Sequence, residues 1–65
     1  MNNTLELEKI DLHIELENHY LVGKSKEGFD MYQFEDTQSF ILVDTTNKLV
    51  YLGGAWNTLL IGFYE

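Results

Sequence analysis

Two unbroken apolar runs stand out in the chain, Phe40-Ile41-Leu42-Val43 and Leu49-Val50-Tyr51-Leu52. Both are rich in strand-forming residues and neither alternates with polar ones, so each is expected to meet protein on both faces. Between them Asp44-Thr45-Thr46-Asn47-Lys48 is short and polar. Asp44 can accept hydrogen bonds from the backbone that follows it, and Asn47 tolerates the positive φ of a tight turn. The stretch from Ser39 to Gly54 therefore predicts a hairpin at the centre of a small sheet, ended by Gly53-Gly54.

The stretch Thr4 to Glu17, TLELEKIDLHIELE, has a different pattern. Wound as a helix, it puts Leu5, Leu12 and Leu16 on one side and Leu7, Ile10 and Ile14 on the other, which is not an amphipathic face. Laid out as a strand, Ile10, Leu12, Ile14 and Leu16 alternate with Lys9, Asp11, His13, Glu15 and Glu17. The phase slips once at Glu8-Lys9, where one extra residue would form a β-bulge. The pattern predicts a strand over 4–17, bulged or broken near 8–9.

Further strands are predicted at Tyr20-Leu21-Val22 and at Phe29 to Glu35, with a bend at Glu17-Asn18-His19, a loop over Gly23 to Gly28 and a turn at Asp36-Thr37-Gln38. Gly28 can supply positive φ in that loop. The tail AWNTLLIGFYE fits two periods. Trp56, Leu59, Leu60 and Phe63 have helical spacing, whereas Leu59, Ile61 and Phe63 have strand spacing. Gly62 weakens a helix and the aromatic content favours a strand, so a strand is expected, with a short C-terminal helix as the alternative. The expected fold is all-β in one domain, 1–65: a small antiparallel sheet or barrel of five to six short strands, of SH3-like or OB-like size.

Composition narrows the functions. The chain of 65 residues has no cysteine, so it cannot rely on disulfides or thiolate zinc sites. A domain this small buries little core, which favours tight packing or a homo-oligomer. Net charge is −7, from eleven acids and four lysines with no arginine. Phosphate backbones and anionic membranes are bound by basic residues, so direct nucleic-acid or membrane binding is not expected. The start, MNNTLELEK, lacks the basic and apolar regions of a signal peptide, and no apolar run reaches the length of a membrane span. The expected location is cytoplasmic.

Asp11, His13, Glu15 and Glu17 would share one face of the predicted first strand, since residues two apart point the same way. Such a row either solvates an edge or meets a basic partner. No spacing matches a metal-ligand pattern, and no cofactor is expected. His13 and His19 have no nucleophile in sequence context, Ser25 and Ser39 stand in loops, and a chain this short has little room for a catalytic cleft. No catalytic residue is expected. Nine aromatics exceed what so small an interior holds, and Trp56 and Tyr64 are the candidates for a subunit or partner interface.

These readings point first to a non-catalytic acidic module that docks on a basic, nucleic-acid-binding surface of an enzyme and blocks it, the kind of inhibitor a phage or mobile element carries. The alternative is a structural protein that assembles into a homo-oligomer through its apolar C-terminal half. A small-molecule-sequestering or sensing protein is third.

Overall fold

A computed structural model describes residues 7–35, 37–54 and 57–65. Among these residues six strands form one sheet: β1 (Glu8–Lys9), β2 (His19–Lys24), β3 (Asp30–Phe34), β4 (Phe40–Asp44), β5 (Leu49–Gly53) and β6 (Thr58–Phe63). Their order is β1-β6-β5-β4-β3-β2. Strands β2 to β6 make an antiparallel meander, and only β1 runs parallel to its neighbour. β1 and β2 lie at opposite ends of that order, so the sheet is open and does not close into a barrel.

The apolar runs 40–43 and 49–52 are adjacent strands at the centre of the sheet. Asp44 pairs with Leu49 across the turn. Its Oδ1 accepts the backbone N–H groups of Thr46 and Asn47 at 3.0 and 3.2 Å. Asn47 Nδ2 donates to Oδ2 at 2.9 Å. The turn thus uses Asp44 as expected. Its positive φ falls at Lys48 (60°), not at Asn47. Asn47 contributes its side chain instead.

Register separates the two faces. Tyr32, Ile41 and Leu52 are in line, as are Asp30, Val43, Val50 and Gly62. This face holds the core of Ile41, Val43 and Val50. On the other face Met31, Leu42, Tyr51 and Leu60 are in line. There the rings of Phe29 and Tyr51 stack with centroids 5.3 Å apart. They belong to the β3 and β5 sides of β4, so their contact passes over Leu42 and buries it. Both faces of β4 are covered, as its sequence predicts. β5 departs from that expectation at Leu52, which is exposed like its partner Leu59. Among the described residues nothing covers that corner of the sheet.

Position in the sheet explains the N-terminal segment. The chain leaves β1 at one end of the sheet and must enter β2 at the other. It crosses the core face, and Ile10, Leu12 and Leu16 pack against Ile41, Val43 and Val50 on the way. The predicted strand over 4–17 is corrected within the described residues, since 4–6 lie outside them: residues 8–9 are a strand, and Leu12–Glu15 is a single helical turn, α1. Asp11 caps it, accepting the His13 backbone N–H at 3.0 Å. Glu15 N–H then donates to Asp11 O and Leu16 N–H to Leu12 O, each at 2.9 Å. Winding keeps Leu12 and Leu16, four apart, on the sheet. It turns Ile14 outward, where it is 62% exposed. A strand would have buried Ile14 beside them.

The tail is a strand, β6, and not a helix. Its register slips by one residue against β5, between Val50 and Tyr51, which lets Ile61 reach the core. Gly62 sits under β1. A Cβ there would collide with the Glu8 carbonyl oxygen and the Ile10 side chain. The glycine that weakens a helix therefore serves a close backbone approach.

Candidate functional site

The four residues expected in a row, Asp11, His13, Glu15 and Glu17, are held by α1 and the turn after it. The helical turn divides them. Asp11 and Glu15 are four apart on one flank, and His13 and Glu17 are four apart on the other. Exposed Ile14 lies between the flanks. The row becomes a rounded acidic ridge with an apolar crest, because the segment must cross the sheet instead of joining it.

Asp11, His13 and Glu17 are exposed and Glu15 is half-buried. Among the described residues two ion pairs form, Lys9 to Glu65 at 3.2 Å and Lys24 to Asp30 at 2.7 Å. Neither involves Asp11, Glu15 or Glu17. Lys48 lies over the ring of Tyr64, 5.2 Å from its centroid. The ridge therefore carries its negative charge without a lysine counter-ion. Beside it a groove of about 470 Å³ runs between the ridge and the C-terminus, lined by Lys9, Asp11, His13, Tyr64 and Glu65 among others. A second, of about 520 Å³, lies between Leu12, His13, Leu16 and Glu17. Both are lined by carboxylates together with leucine or isoleucine, and the first also by Lys9.

Tyr64, expected at an interface, is half-buried against the core. Burial pushes its phenol pKa up, and the nearby Asp44 and Asp30 carboxylates and Tyr32 add to the shift. Trp56 lies outside the described residues. His19 stands beside Phe34, with ring centroids 5.0 Å apart, and its Nδ1 is 2.8 Å from the Glu17 carbonyl oxygen. Among the described residues no three His, Cys, Asp or Glu side chains gather as metal ligands would. No described helix is long and apolar enough to cross a membrane.

One surface element was missed by sequence reasoning. Tyr20, Leu21 and Val22 of β2 are all exposed. Their strand forms the end of the sheet. The run reads like any other strand-former, and only the strand order distinguishes it from a core strand. Compared with known proteins, the chain matches no family model, no curated protein and no solved structure.

Proposed function

We propose that this chain is a non-catalytic protein-binding module that docks its α1 ridge on a basic surface of a nucleic-acid-binding enzyme and blocks it. The observation that carries this reading is the ridge of Asp11, Glu15 and Glu17, which no lysine neutralises among the described residues. Complementary charge would steer the encounter and set the register, and Ile14 would supply an apolar contact at the centre.

The test is binding to a panel of basic nucleic-acid-binding enzymes at about 0.1 M and about 1 M salt, which shortens the Debye length from about 10 Å to about 3 Å. The expected outcome is a complex that nucleic acid displaces and high salt weakens. Asp11→Asn keeps the helix cap and removes the charge. Combined with Glu15→Gln and Glu17→Gln, it should abolish binding. Binding that survives the triple variant removes the basis of the proposal.

A second reading, a protein that assembles with copies of itself, is favoured by the exposed apolar side chains of Tyr20, Leu21 and Val22 at the end of the sheet. It predicts a concentration-dependent solution mass.

A further inference from the structure

We draw no further inference here: the strongest candidate, the groove of about 330 Å³ on the second face of the sheet, lined by Glu27, Phe29, Leu42, Tyr51 and Thr58, sets one carboxylate beside two stacked rings in a stretch where Lys24 and Lys26 balance Glu27 and Asp30, and nothing in the structure shows what fills it.

Discussion

Strands β4 and β2 carry nearly the same apolar triplet and have opposite fates. Ile41, Leu42 and Val43 are 1%, 5% and 3% exposed, whereas Tyr20, Leu21 and Val22 are 48%, 58% and 46% exposed. Hydrophobicity does not separate them. Neighbours do: β4 lies between β3 and β5, under the crossing segment on one face and under the Phe29–Tyr51 stack on the other. Among the described residues β2 has one neighbouring strand, and it carries a bulge. An apolar run reports that a strand forms. Its place in the sheet decides whether that strand holds the fold together or offers a surface.

The largest effects should come from breaking the centre. Ile41→Ala and Leu42→Ala each leave a cavity against fixed neighbours and should cost about 2–5 kcal/mol. That is a large share of the stability of any domain this small. Urea denaturation should show a lower midpoint with an unchanged slope. Ile41→Val, which removes one methylene, should cost about 0.5–1.5 kcal/mol. A Leu42→Ala variant as stable as the parent would mean that the stacked rings do not seal the second face.

Next in size is Gly62→Ala. The added methyl meets the Glu8 carbonyl and the Ile10 side chain, so either β1 leaves the sheet or Ile10 leaves the core. Overpacking of this kind costs about 1–3 kcal/mol. Amide exchange should localise the damage to Ile10, whose N–H donates to Phe63 O at 2.7 Å, and spare the β4–β5 ladder. Uniform loss of protection would show that β1 is integral to the centre.

The same contrast explains what the chain made legible. The hairpin at 40–52, the strands predicted at 20–22 and 29–35, and the strand form of the tail followed from apolar runs and their spacing, which are local properties; that β2 runs on through Gly23 and Lys24, read as loop, did not. Asp44 was legible because its hydrogen bonds are to residues two and three ahead. Of the strand predicted over 4–17, residues 8–9 form one, but the part after Lys9 does not: its alternation fits a strand, and its reason for winding is remote, since it must cross from β1 to β2. A local signal was present, since Asp11 before Leu12 is a good helix cap, but one turn is too short for periodicity to show. The acidic ridge was recognised in composition and misplaced in geometry. That β2 stands at the end of the described sheet was invisible, because strand order is not written in any single strand.

A smaller effect concerns the turn that joins the central pair. The Asn47 side chain, donating to Asp44, holds that carboxyl below its ordinary range; burial opposes this, and the backbone N–H groups of Asn47 and Thr46 reinforce it. Ionised Asp44 therefore contributes stability that is full above the unfolded value of about 3.9 and is lost as pH falls through the lower folded value. Asp44→Asn should lower Tm at neutral pH, and the gap to the parent should close as pH drops below about 4. A gap that is constant with pH would mean the turn needs the shape of Asp44 and not its charge.

The smallest expected effect sharpens the comparison most, because it repeats at the edge the substitution made at the centre. Leu21→Ala removes the same atoms as Leu42→Ala. At about 10 µM, where weak self-association is dissociated, Leu21 already faces water and loses little burial. Its cost should stay within about 0.5 kcal/mol. Raising the protein to about 1 mM should then open a gap between parent and variant, because association stabilises only the chain that can pair. If Leu21→Ala instead costs as much as Leu42→Ala at low concentration, the edge is already covered within one chain. β2 would then be a second core strand, and the division between a centre that folds and an edge that binds would fail.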